Sequence, residues 1–214
     1  MSRSEFHMWG ALITFVMVVA ISYSFRTKDV PKPVLITPEV SQIDELGNYT
    51  LLQMKIVNSQ MSDVRKQVTA KQIANVAMDI LETQEQRKQF ITLLAIESKF
   101  DSRAKSHVGA VGLGQIMPAY AKEFAAKCGI KEVSTEDLFI PEINLTIAAC
   151  RFRQLLGIFP GQISLVLISY NAGQNSNQIK QLQDLKNLSS METSGYLNKF
   201  MYLNDTTKLV TADK

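Results

Sequence analysis

Glu97 closes the apolar run Phe90-Ile91-Thr92-Leu93-Leu94-Ala95-Ile96, and a glycine-rich stretch, Gly109-Ala110-Val111-Gly112-Leu113-Gly114-Gln115-Ile116-Met117-Pro118, follows closely. One acid at a helix end, facing a turn that admits an extended substrate, suits acid/base cleavage of a glycosidic bond. Asp101 stands one helical turn further on if the helix continues, so a hydrolase with paired carboxylates is the rival arrangement. Metal chemistry has little to work with. The chain holds two histidines, His7 and His107, and two cysteines, Cys128 and Cys150, and no spacing among them resembles a metal-ligand motif. Neither a dinucleotide-binding fingerprint nor a phosphate-binding loop occurs, so no cofactor is expected. Cys128 and Cys150 flank a loop-like stretch, and they read either as a disulfide formed in an oxidising compartment or as two separate buried thiols.

The elements that must hold these groups read as helices. With 214 residues, 46% of them hydrophobic and 20% charged, the chain can build one globular core and an appendage. Its net charge of +3, from 23 Lys and Arg against 20 Asp and Glu, includes no basic block, which argues against nucleic acid as a partner. Residues 42–68 form an untidy amphipathic helical extension, and Thr69 stands as a candidate N-cap for the catalytic domain, residues 69–204. Within that domain helices are expected up to Thr83-Gln84, from Glu85 to Glu97, from Tyr120 to Lys127 closed by Gly129, and from Asn144 to Leu156. Others follow from Gln162 to Ser169, from about Gln174 to Asn187, and from Gly195 to Leu203. No period-two strand pattern is sustained, so the fold class is predominantly α. Residues 205–214 read as a flexible polar tail.

The beginning of the chain differs in kind. Met8 to Phe25 is an 18-residue stretch without charge, flanked by Arg3 before and by Arg26 and Lys28 after. At about 1.5 Å per residue this is at the short end of what spans a bilayer, and Trp9 and Tyr23 stand where interfacial aromatics belong. Residues 1–28 are therefore a membrane anchor or a cleavable signal segment, with residues 8–25 meeting the membrane in either case. Residues 29–41, containing Pro31, Pro33 and Pro38, form an extended spacer.

Three stretches carry a specific resemblance: Ala95-Ile96-Glu97-Ser98-Lys99-Phe100, the glycine-rich segment Gly109 to Pro118, and Ser169-Tyr170-Asn171-Ala172-Gly173. In this order they resemble the motifs of the soluble-type lytic transglycosylases, in the goose-lysozyme-like branch of the lysozyme superfamily. Leu138-Phe139-Ile140-Pro141-Glu142-Ile143-Asn144 and Glu192-Thr193-Ser194-Gly195-Tyr196 resemble two further family stretches, so the likeness runs from about Thr83 to Leu203. It implies a lysozyme-like helical domain acting on peptidoglycan glycan strands. The implied reaction cleaves the β-1,4 bond between N-acetylmuramic acid and N-acetylglucosamine and leaves a 1,6-anhydromuramoyl end.

By the same resemblance, Glu97 is the acid that protonates the leaving oxygen and then the base that accepts the proton of the C6 hydroxyl. The family uses the substrate's own N-acetyl group where other glycosidases use a second carboxylate, so one acid suffices. That role needs a carboxyl group whose pKa is raised by burial against the apolar run. Ser98 is expected to hydrogen-bond within the site, Gly112 to let the backbone turn beneath the sugar, and Gln115 to bind saccharide. Tyr170 is expected to place a hydroxyl near Glu97 or the reacting sugar, Asn171 to engage substrate or pin a loop, and Tyr196 to line or brace the cleft. Gly114 replaces a family methionine, which suggests a lost sugar contact, and Ala148 stands where the family often has glycine. Met117 and Phe124 read as core and His107 as a loop residue without a role. The family's uses imply a wall-opening enzyme at the inner membrane or free in the periplasm, serving a phage particle or a secretion or conjugation apparatus. The other readings are a hydrolytic lysozyme and a wall-binding protein with little catalysis.

Overall fold

The computed structural model describes residues 38–172 and 191–212. The anchor or signal segment 1–28, most of the spacer and the helix expected near 174–187 lie outside them. Among the described residues the elements are α1 (Pro38–Val57), α2 (Asp63–Ile80), α3 (Gln84–Ser98), α4 (Pro118–Lys127), a 3-10 turn (Asp137–Phe139), α5 (Pro141–Ile158), α6 (Ile163–Ala172) and α7 (Met191–Ala212). Isolated bridges at Lys105, Val111 and Ile116 are the nearest approach to a strand. The all-helical expectation agrees with this architecture.

Two helices are buried nearly all round and form the centre. On α3, Phe90, Ile91, Leu93 and Leu94 are fully buried, and on α5 so are Leu145, Ile147, Ala148, Ala149, Phe152 and Leu155. The rings of Phe90 and Phe152 meet at 5.8 Å, tilted by 41°, where the two helices touch. Each such large apolar side chain contributes roughly 1.5–3 kcal/mol by leaving water. α2 packs between α1 and α5 through Ala70, Ile73, Ala74 and Ala77, whose small side chains allow close approach.

The extension expected at 42–68 belongs to this core. Leu46, Tyr49, Thr50, Gln53 and Met54 form a buried stripe on α1 at helical spacing. Its polar members explain why the stripe reads as untidy. Gln53 Nε2 donates to Thr92 Oγ1 at 2.7 Å and to the Tyr49 hydroxyl at 3.0 Å, and the Tyr49 hydroxyl lies 3.5 Å from Asn204 Oδ1. This network joins α1, α3 and α7, so the Gln53 amide nitrogen and the Tyr49 and Thr92 hydroxyls find partners, while Gln53 Oε1 is buried without one.

Boundaries shift accordingly. A turn at 58–62 separates α1 from α2, Ser62 occupies the N-cap position, and Thr69 is a buried residue inside α2 and not a cap. α1 begins at Pro38, within the expected spacer, and α7 continues to Ala212 through most of the expected tail. The Gly129 signal holds, at φ +77° just beyond α4, while Thr83 forms a capping box with Gln86, Pro118 stands in the first turn of α4, and α5 starts at Pro141, ahead of the expected Asn144.

Candidate active site

Glu97 lies in the last turn of α3, and the chain reverses abruptly behind it. Lys99 and Phe100 both adopt left-handed backbone, at φ 52° and 62°, a conformation that costs a non-glycine residue about 1–2 kcal/mol. Burial of the Phe100 ring offsets that cost and fixes where the helix stops. The loop that follows returns over the end of α3. Val111 and Ile116 exchange backbone hydrogen bonds at 3.0 and 2.9 Å, enclosing a tight turn with Gly112 at φ +76° and Gln115 at φ +49°.

Asn144, in the first turn of α5, holds this turn in place. Its Oδ1 accepts from Gly114 N at 2.7 Å, and its Nδ2 donates to Val111 O at 2.9 Å and to Leu138 O at 2.8 Å. The Tyr170 hydroxyl, from α6, donates to Gly114 O at 2.9 Å. A single five-atom amide therefore joins the turn, the 3-10 segment and α5, and a tyrosine ties α6 to the same turn.

These elements surround a cleft of about 620 Å³ whose lining includes Glu97, Gln115, Tyr170 and Asn171. Burial raises the Glu97 pKa from 4.5 to about 7, while a hydrogen bond from the Tyr196 hydroxyl, 2.5 Å from Oε1, pulls the other way. The carboxyl is thus poised to exchange a proton near neutrality, as a general acid that must later act as a base requires. Burial also lifts the Tyr170 and Tyr196 phenols well above their ordinary range, so both remain neutral donors. Tyr196→Phe removes the group that stabilises the Glu97 carboxylate. The alkaline limb of the rate profile should move to higher pH and kcat should fall about ten-fold. An unchanged profile would show that this contact plays no part.

The transglycosylase SLT domain family matches residues 74–190, more than half of the chain. The chain belongs to this family. A Haemophilus influenzae protein assigned as a soluble lytic murein transglycosylase is 33% identical over 79 residues, which are 37% of this chain and 13% of that protein. Among solved structures, an inactive glutamate-to-glutamine mutant of the lytic transglycosylase Slt from Pseudomonas aeruginosa superposes with a TM-score of 0.58. It is 24% identical, over 81% of this chain and 30% of that one. The 70 kDa soluble lytic transglycosylase of Escherichia coli gives a TM-score of 0.55 at 18% identity, over 86% of this chain and 37% of its own. At such identities the two structures share the fold, and the chain spans well under half the length of each of these relatives.

The expected site residues separate into two groups. Glu97, Gln115, Tyr170 and Asn171 line the cleft, and Tyr196 reaches it through Glu97. Gln115 turns its amide onto its own loop, with Nε2 donating to Gly112 O at 2.9 Å. The buried hydroxyl of Ser98 donates to Leu94 O at 3.2 Å, along its own helix, and Ser98 is outside the cleft lining. Gly112 is also outside the lining. A side chain there would meet Asn144 Nδ2 at 2.3 Å and Leu138 O at 2.6 Å, so glycine is required by the Asn144 clamp.

Gly114 changes meaning. A Cβ at this position would stand 2.4 Å from the Ala148 methyl and 3.1 Å from the Tyr170 hydroxyl, inside the core and not toward sugar. The two departures from the family pattern therefore compensate each other: the methyl of Ala148 fills space that Gly114 vacates. Asp101 is exposed, accepts from Arg103 N at 3.0 Å, and caps a turn away from the cleft. Met117, Phe124 and His107, expected in the core or idle, all line the cleft, together with Tyr120, Glu123 and Arg151, which the motifs do not mark. Tyr120 and Phe124 lie four residues apart on α4 with ring centroids at 6.1 Å, an apolar ledge of the kind that faces a sugar ring. No group of three or more metal-ligating side chains is clustered among the described residues.

Proposed function

We propose that the chain is a peptidoglycan lytic transglycosylase that cleaves between N-acetylmuramic acid and N-acetylglucosamine. The observation carrying this reading is Glu97: one half-buried carboxyl with a pKa of about 7, held by Tyr196 at the edge of an open cleft. Protonated Glu97 gives its proton to the glycosidic oxygen as the C1–O bond breaks, and the substrate's N-acetyl oxygen occupies C1. The Glu97 carboxylate then accepts the C6 hydroxyl proton as that oxygen attacks C1, releasing the N-acetyl group and restoring the acid. Atoms balance without water, and the product carries a 1,6-anhydro ring. Support comes from family membership and from the inactive glutamate-to-glutamine form of the Pseudomonas enzyme.

Glu123 favours a second reading, a hydrolytic lysozyme. It is a carboxylate in the cleft lining, kept ionised by its hydrogen bond to Lys127 at 2.6 Å. Its exposure to solvent and its commitment to Lys127 make it a poor partner for a glycosyl cation. Digestion of purified peptidoglycan by the full chain, followed by mass analysis, separates the readings. Muramoyl ends lighter by one water are expected; reducing ends would establish hydrolysis, and sacculi that bind the protein without releasing muropeptides would establish a wall-binding role.

We place the catalytic domain on the periplasmic side of the inner membrane, with residues 8–25 as anchor or export signal. There it opens the wall locally for a phage particle or a secretion or conjugation apparatus. The uncharged segment and the prolines after it support this placement. Fractionation with N-terminal sequencing tests it, and recovery of an intact chain from the cytosol would contradict it.

A further inference from the structure

Cys128 and Cys150, the two cysteines of the chain, are both thiols in this structure. Cys128 is the C-cap residue of α4 and Cys150 lies on α5, and the two helices pack together. The two side chains interact directly, and the Cys128 thiol donates to Phe124 O at 3.1 Å. Directly beside the pair, the Arg151 guanidinium stacks at 4.7 Å over the Phe124 ring, and both of these residues line the cleft. Each thiol is half-buried, so a thiol reagent can reach it from solvent.

We propose that Cys128 and Cys150 form a covalent modification site, a dithiol that oxidises to an intramolecular disulfide and staples α4 to α5 behind the cleft wall. The oxidant is a disulfide donor. The Cys150 thiolate attacks one sulfur of the donor, forming a mixed disulfide and expelling a donor thiolate. Cys128 then loses its proton and attacks the Cys150 sulfur, expelling the second donor thiolate. Two thiols are oxidised, one donor disulfide is reduced to two thiols, and the two protons end on the donor.

Local chemistry sets this order of attack. The hydrogen bond from Cys128 lowers the Cys150 pKa to about 7 against an opposing effect of burial, and the charge of Arg153 adds to the lowering. Cys128 is held well above the ordinary range by the same contact. Cys150, the thiol whose pKa is lowered, is therefore the better first nucleophile of the two. The bond closes the loop that delivers Leu138 O to Asn144, so it constrains the unfolded chain over the segment that the clamp organises. This inference is independent of the reaction at Glu97.

The test uses the full chain held either in reduced glutathione or in oxidised glutathione, then alkylated, weighed and melted. Oxidation should leave no alkylatable thiol, remove two hydrogens from the mass, and give a Cys128–Cys150 cross-linked peptide. It should also raise Tm by roughly 5–10 °C. Cys150→Ser should show no such rise. Two thiols that still alkylate after oxidation, a stable glutathione adduct, a disulfide-linked dimer, or a verified bond with no gain in Tm would each overturn the proposal.

Discussion

Glu97→Gln abolishes glycan cleavage, lowering kcat/KM by about three orders of magnitude, and at the same time makes the protein more stable in alkali. The loss follows because glutamine keeps the size and the contact with Tyr196 but has no proton to give. The gain follows from linkage. The folded-state pKa of Glu97 is about 7 against an ordinary 4.5, so between these values the folded protein keeps a proton that the unfolded chain has released. Stability is complete below pH 4.5 and declines as pH rises through 7, by on the order of 2–3 kcal/mol. Glutamine cannot ionise, so the variant should resist urea better than the parent at pH 8 and equally at pH 4. Retained activity would remove Glu97 from the mechanism, and an equal stability difference at both pH values would remove the buried charge as its cause.

Asn144→Ala should be the most damaging substitution for the fold among the residues around the cleft. It leaves Gly114 N and Leu138 O buried without partners, at about 1–3 kcal/mol each, and strips Val111 O of one of its two hydrogen bonds. A total of about 3–5 kcal/mol is expected, read as a fall in the urea midpoint with an unchanged m-value. Activity should fall further than instability alone explains, since Tyr170 and Gln115 both take their positions from the turn that Asn144 holds. A variant that unfolds at the parent's midpoint and cleaves normally would show the clamp to be dispensable.

The difference between Glu97 and Asn144 shows what can be read from a chain of residues. Glu97 is legible because an acid ends an otherwise apolar helix, and the boundaries of that helix are written locally, in the Thr83 capping box. Asn144 is a single polar residue near a helix start, and its importance lies in three backbone groups six to thirty-three residues away. Nothing in local spacing announces those partners. The same holds for Gly114 and Ala148, which look like two unrelated departures until the fold sets the Ala148 methyl where a side chain at Gly114 would have to go. α1 escapes as part of the core because Thr50 and Gln53 interrupt its apolar stripe: Thr50 is satisfied along its own helix by Leu46 O, and Gln53 finds Thr92 on α3. Tyr120, Phe124 and Arg151 join the cleft only because α4 and α5 pack together, so periodicity alone assigns them to a helix face and not to a site.

Anhydro-ring formation requires a carboxyl that is protonated when substrate binds and ionised when the ring closes. The rate at which wild-type protein releases anhydromuropeptides from purified peptidoglycan, measured from pH 4 to pH 9 at fixed ionic strength, tests it most directly. The predicted profile of kcat/KM is level in acid and falls with the loss of a single proton centred at about pH 7. A rate that already falls between pH 4 and 5, or one that stays level past pH 8, would contradict the assignment of Glu97 as a buried acid that exchanges its proton near neutrality.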